Sequence, residues 1–319
     1  MPAEPPADQA GSDRAARVAA LPPAKRALLA ELTRRRTEAG GPASLAGVVL
    51  LREGHDPAAA PIVLAHPIGG SLFCYADLCR QIAKGPAIWG VAAGPALAEP
   101  SDVTVEQLAD RYVAALGRAG IAQAAALAGW SFGGLLGYEM ARRWPGPAPA
   151  VVLIDSAPWP RDRAPWDQAT TLRTFAEYLA SLAGVALPST TPGTLWQRPV
   201  PEALAGAADV LRAQGIDPGR AGAELTGRFW TYANAIAAMS SYRPGPPKGR
   251  AVLVRAAASA AEASPWPATA GGPPATVEVP GDHFSVLRPP GVRLVAQVIQ
   301  EAIAVADQAL PQRSLIAAL

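Results

Sequence analysis

From residue 45 onward, short apolar runs alternate with longer stretches of helical period. The runs are Leu45–Leu51, Ile62–Ala65, Ala87–Val91, Ala124–Ala128, Val151–Ile154, Ala251–Val254 and Thr276–Val279. Continuous apolar runs suit strands buried on both faces and so a mostly parallel sheet between helices, an α/β architecture. The Ala124–Ala128 run is poor in strand-forming residues, and its assignment rests on the turn that follows it.

Between the runs, 104–118 carries the clearest helical signal. Thr104 and Gln107 match a capping box, Val103 and Leu108 occupy the two positions of a hydrophobic staple, and Val105, Leu108, Tyr112, Val113 and Leu116 share a face. Further helices are expected over 135–144, 170–183 and 223–240. Residues 157–247 interrupt the strand–helix alternation, with Trp159, Trp166, Trp196 and Trp230 among many prolines. An insertion of this length between two strands reads as a lid over a site, in a catalytic domain spanning 45–310. Residues 1–44 form an N-terminal segment apart. Its start is rich in Pro, Ala and charge, which predicts disorder, and Ala24–Arg36 predicts a short helix, either a solvated linker or a docking segment.

Half of the 319 residues are apolar, enough to bury a sizeable core, and the net charge of +2 gives no reason to expect nucleic acid or an acidic membrane as partner. Cys74 and Cys79 stand five residues apart and do not form a CxxC pair, so buried free thiols are expected. The first residues lack the basic and apolar regions of a signal peptide, and no apolar run is long enough to span a bilayer. A soluble cytoplasmic protein is the expectation. No metal-ligand cluster, dinucleotide fingerprint or phosphate-binding loop is present, so no bound cofactor is expected.

The chemistry centres on Gly129-Trp130-Ser131-Phe132-Gly133, a G-x-S-x-G pattern between an apolar run and a helical stretch. A nucleophilic serine displayed on a sharp strand-to-helix turn needs small neighbours, and the helix that follows aims its positive end at a forming oxyanion. A serine hydroxyl also needs a base, and the chain has three histidines: His55, His66 and His283. With an elbow of this kind the order is Ser, acid, His, and only His283 follows Ser131. The acid expected is Asp155, at the tip of the run Val151–Ile154. Asp282 is its main rival, and Asp162 and Asp167 are weaker ones. The oxyanion donors expected are the backbone N–H groups of Phe132 and of Ile68, in the loop His66-Pro67-Ile68-Gly69-Gly70, with His66 anchoring that loop. Trp130, Trp159 and Trp230 are candidates for contact with substrate.

These residues resemble the type I, chain-releasing thioesterase domains of nonribosomal peptide and polyketide synthases, which have the α/β-hydrolase fold. The resemblance covers about 45–305. It rests on His66–Gly70 with Cys74-Tyr75, Ile88-Trp89-Gly90-Val91, Thr104–Ala109 with Arg111-Tyr112, Gly129–Gly134, Asp155 and Gly281-Asp282-His283-Phe284. It implies a substrate carried as a thioester on the phosphopantetheine arm of an acyl or peptidyl carrier protein. Ser131 would take the chain, and water or a nucleophile of the chain itself would release it as acid, lactone or lactam. Two other readings stay in view. A general carboxylesterase would prefer diffusible oxygen esters. A non-catalytic binding module would keep His283 far from Ser131.

Overall fold

The computed structural model describes residues 47–307 except 57, 84, 161–162, 219–221, 260–265 and 268–272. The expected N-terminal segment and its helix, and the rival acid Asp162, lie outside the described residues. Seven strands form one sheet: β1 (Val48–Arg52), β2 (Ile62–Ala65), β3 (Ile88–Val91), β4 (Ala126–Trp130), β5 (Ala150–Ile154), β6 (Ala251–Ala256) and β7 (Ala275–Val279), in the order β1-β3-β2-β4-β5-β6-β7. Only β1 runs antiparallel to its neighbour. This is the α/β-hydrolase architecture.

The continuity of the apolar runs has a plain cause. Along β5, Ala150, Val152 and Ile154 enter one core and Val151 and Leu153 the other, because successive side chains point to opposite faces of a strand. The first core is completed by helices α1 (Ala76–Gln81) and α7 (Gly291–Asp307), the second by α2 (Val105–Arg118) and α3 (Phe132–Arg143). β7 departs from the expectation of two-sided burial. Its pattern leaves Ala275, Thr276 and Glu278 exposed, since it is an edge strand with one neighbour. β4 runs two residues further than the Ala-rich run, to Trp130, because pairing with β5 carries it on despite weak propensity.

α2 starts as its sequence requires. The Thr104 hydroxyl accepts from the Gln107 N–H at 3.2 Å, and the Gln107 side chain accepts from the Thr104 N–H at 3.0 Å. Between β5 and β6 stand α4 (Gln168–Leu182), α5 (Val200–Ala213) and α6 (Ala223–Ser241), packed on a core of their own that includes Trp159, Phe175, Trp196, Leu204 and Phe229. α5 was not expected from the sequence. Pro201 falls in the first turn, where a missing N–H costs nothing, and Ala203, Leu204, Ala207, Ala208 and Leu211 make a buried helical face. Among the described residues, no helix is long and apolar enough to cross a membrane.

Candidate active site

Strand register brings the site together. Trp130 pairs with Ile154, so the next residues, Ser131 and Asp155, leave adjacent strands side by side at their carboxyl ends, where ligands bind in open α/β sheets. The Ser131 N–H donates to the Ile154 carbonyl at 2.9 Å, and the Asp155 N–H to the Val254 carbonyl of β6 at 2.7 Å. Ser131 (φ 57°) and Asp155 (φ 43°) are the non-glycine residues with positive φ among those described. Such conformations cost energy outside glycine and gather at functional sites.

The turn at Ser131 is possible because of Gly129. A Cβ there would lie 2.1 Å from the carbonyl of Gly133, backbone that has no way to yield. A Cβ on Gly133 would lie 2.4 Å from the Ala65 carbonyl, so α3 begins directly against the end of β2. Tyr75 ties the same two strand ends from below. Its buried hydroxyl accepts the Trp130 N–H at 2.8 Å and donates to the Ala65 carbonyl at 2.7 Å. Ser131 occupies the N-cap position of α3 without using its side chain as a cap.

The hydroxyl instead meets His283. His283 Nε2 lies 3.2 Å from Ser131 Oγ, and His283 Nδ1 lies 2.7 Å from Asp155 Oδ2. An Nδ1–H donated to the carboxylate leaves Nε2 free to accept from the serine. Asp155 also accepts the Ala256 N–H on Oδ1 at 2.9 Å and the Ser259 hydroxyl on Oδ2 at 2.7 Å. Burial pushes the Asp155 carboxyl up, but the bonds from His283, Ser259 and Ala256 outweigh it and hold the group below its ordinary value. Asp155 is therefore anionic at neutral pH. Its side chain is 7% exposed against 37% for His283, so the row runs from a buried carboxylate to an accessible imidazole. A hydroxyl, an imidazole and a carboxylate so linked can pass the hydroxyl proton to nitrogen as the oxygen attacks.

The two rival acids among the described residues are occupied elsewhere. Asp282 accepts from the N–H groups of Phe284 and Ser285 and from the Ser285 hydroxyl, capping the turn that carries His283. Asp167 caps α4 through the Thr170 N–H.

His66 is fully buried. Burial lowers its pKa to about 4, partly opposed by its bond to Pro67, so it is neutral at physiological pH. Nδ1–H donates to the Pro67 carbonyl at 2.8 Å, and Nε2 accepts the Tyr112 hydroxyl at 2.7 Å. Its ring stands 5.9 Å from that of Phe132, which brings the 66–70 loop beside the first turn of α3. Ile68, half-buried, packs between the sheet core and the helical insertion.

The three tryptophans separate. Trp130 is not open to a substrate. It is 4% exposed and lies in the core, its ring 5.1 Å from that of His283, because an even-numbered position of β4 faces α7. Trp159 is likewise buried, edge-on to Trp166 at 5.1 Å, with its indole N–H donated to the Arg163 carbonyl. Trp230 is half-buried and lines a cavity of about 350 Å³ with Trp166, Phe229 and Asn234. None of Ser131, Asp155 and His283 lines that cavity. Cys79 is buried and free, its thiol pushed up to about 12 by burial, whereas Cys74 is only half-buried.

Sequence reasoning missed Ser259, which follows three alanines and belongs to no motif. It also missed the role of Tyr75, although Cys74-Tyr75 is part of the resemblance.

The family model of the Thioesterase domain matches residues 60–303. The chain belongs to the thioesterase domain family. Its broad activity class is thus that of a hydrolase. This thioesterase domain is 27% identical over 229 residues to the dimodular nonribosomal peptide synthase of Bacillus subtilis (strain 168), a match covering 69% of this chain and 9% of that protein. It is similar to holo-AB3403, a four-domain nonribosomal peptide synthetase solved with AMP and glycine, with 27% identity, a TM-score of 0.70, and 88% of this chain against 22% of that one. RedJ thioesterase, from the prodiginine pathway of Streptomyces coelicolor, is 26% identical with a TM-score of 0.53, over 77% of this chain and 88% of its own. The chain therefore spans a small part of either synthetase and most of RedJ.

Proposed function

We propose that this thioesterase domain takes an acyl, peptidyl or polyketide chain from the phosphopantetheine thioester of a carrier protein onto Ser131, then releases it by hydrolysis or cyclisation. The observation that carries the reading is the unbroken row Ser131–His283–Asp155, at 3.2 and 2.7 Å, built on an elbow whose serine has positive φ. In this reading His283 takes the Ser131 proton as Oγ attacks the thioester carbonyl, and Asp155 steadies the imidazolium that forms. His283 then protonates the departing pantetheine sulfur. In the second half it deprotonates water, or a hydroxyl or amine of the chain, for attack on the acyl-serine. The N–H groups of Ile68 and Phe132 would receive the oxyanion. Their loops meet where His66 packs on Phe132, and the first turn of α3 supplies a positive helix end.

Residues 157–247 would act as the lid of a catalytic domain spanning 45–310, with water exclusion favouring cyclisation where the chain carries its own nucleophile. No cofactor enters the chemistry, and the carrier is the partner, in the cytoplasm. The proximity of His283 to Ser131 speaks against a non-catalytic module.

The test is intact-protein mass after brief exposure to a panel of acyl thioesters, for wild type and Ser131→Ala. A gain of one acyl group, or thiol release, in wild type alone supports the proposal. Ready turnover of oxygen esters with neither adduct nor release from any thioester would replace it with a general esterase.

A further inference from the structure

We propose that Ser259 is a positioning residue for the Asp155–His283 pair, sharing a carboxylate oxygen with the imidazole and holding the acid in the one rotamer that serves it. The inference rests on the reading of Ser131, His283 and Asp155 as the reacting group, and adds a fourth member that the elbow motif does not contain.

Asp155 Oδ2 receives two donors at 2.7 Å, the Ser259 hydroxyl and His283 Nδ1–H, while Oδ1 takes the Ala256 N–H at 2.9 Å. Both oxygens are thus held, so the carboxylate is not free to rotate away from His283. Ser259 is itself fixed by the turn that ends β6, its N–H donating to the Ala256 carbonyl at 2.9 Å. The same turn is fastened to the strand and loop that carry the base. The Ala257 N–H reaches the Val279 carbonyl at 2.8 Å, and the Ala258 N–H reaches the Gly281 carbonyl, two residues before His283, at 2.9 Å. Residues 256–259 therefore hold the acid of β5 and the base beyond β7 in one frame.

The charged groups nearby are committed elsewhere. Arg255 pairs with Glu278 across β6 and β7 at 2.6 Å, and Asp282 caps its own turn. Hydrogen bonds to the charged form of a carboxyl favour that form. The Ser259 bond is one of those that keep the Asp155 carboxyl low, so its loss raises the pH at which Asp155 takes up a proton and ceases to orient His283.

The experiment compares the full chain as wild type, Ser259→Ala, Ser259→Thr and Ser259→Val. It reads kcat and KM against pH on a simple acyl thioester, titrates active serines with an organophosphonate, and follows the His283 Nδ1 proton by NMR. Ser259→Ala is expected to lower kcat roughly tenfold, the scale of one bond to a charged group, with KM little changed. The acid limb should move to higher pH, and the His283 proton should shift or exchange faster. Ser259→Thr should restore all three, and Ser259→Val, with the shape of threonine and no hydroxyl, should resemble Ser259→Ala. Wild-type kcat, pH profile and proton signal in Ser259→Ala and Ser259→Val would overturn the proposal, as would equal impairment by Thr and Val. If wild type neither reacts with the phosphonate nor turns over thioester, the functional reading fails. The NMR comparison then still decides whether Ser259 sets the Asp155–His283 contact.

Discussion

The hydroxyl of Tyr178, on α4 of the helical insertion, rests against the backbone of Gly69 in the loop that carries Ile68; a Cβ on Gly69 would stand 2.1 Å from it. The insertion and the loop beside Ser131 are therefore in direct contact, and a change in one is felt by the other. The Tyr178 ring is held in turn by Tyr232 of α6, with centroids 5.4 Å apart.

Gly69→Ala should push against Tyr178 and shift the loop, lowering kcat/KM by about tenfold or more, since overpacking typically costs about 1–3 kcal/mol. Tyr178→Phe removes the colliding oxygen and should recover much of the loss in the double variant. A double-mutant cycle on kcat/KM measures the coupling. Additive effects of the two changes would show that the contact does not bear on the site.

Asp155→Asn should lower kcat by roughly three to four orders of magnitude, because an amide no longer holds His283 with its proton on Nδ1. Asp282→Ala, which loosens only the turn around His283, should cost less than about tenfold. Steady-state kinetics on the two variants separate the acid from its sequence neighbour, and the reverse ranking would assign the role to Asp282.

His66 makes a pH-dependent contribution to stability. An unfolded histidine takes up a proton near 6.5, whereas burial delays this to about 4 in the folded chain. The unfolded state thus binds more protons in that interval. The contribution is complete above about pH 6.5 and is lost as pH falls toward 4, at most ~3 kcal/mol. Urea unfolding at pH 7 and near pH 4.5 should show a steeper loss for wild type than for His66→Gln, which has no imidazole to protonate.

Glu139 is 1% exposed and joins three partners. It accepts from Arg142 at 2.6 Å, Arg143 at 2.7 Å and the Tyr242 hydroxyl at 2.9 Å. Arg142 also donates to the Pro246 carbonyl and Tyr138 to that of Gly245, so the cluster fastens the α6–β6 connection to α3. Glu139→Ala should destabilise the fold by about 2 kcal/mol. That is less than for a fully buried pair, because the two guanidinium groups are about a third exposed and screened. Urea midpoints check the loss, and kcat per folded molecule should change little, since none of these groups touches Ser131.

What the sequence determined by itself was whatever a few neighbouring residues decide. The glycines around Ser131 set a strand-to-helix turn because its conformation is local, and Thr104 with Gln107 set the start of α2 for the same reason. Continuous apolar runs announced strands covered on both faces, and a single histidine after Ser131 narrowed the base to one residue. Only the tertiary structure decided the rest, because it depends on which strand ends stand together. Asp155 and not Asp282 meets His283, across 128 residues of chain, and Ser259 meets Asp155 across 104. Trp130 went into the core and Trp230 to a cavity wall by the face each happens to occupy. β7 stayed exposed as the last strand of the sheet: the alternation Thr276-Val277-Glu278-Val279 suits a strand covered on one face, but only the strand order makes it an edge.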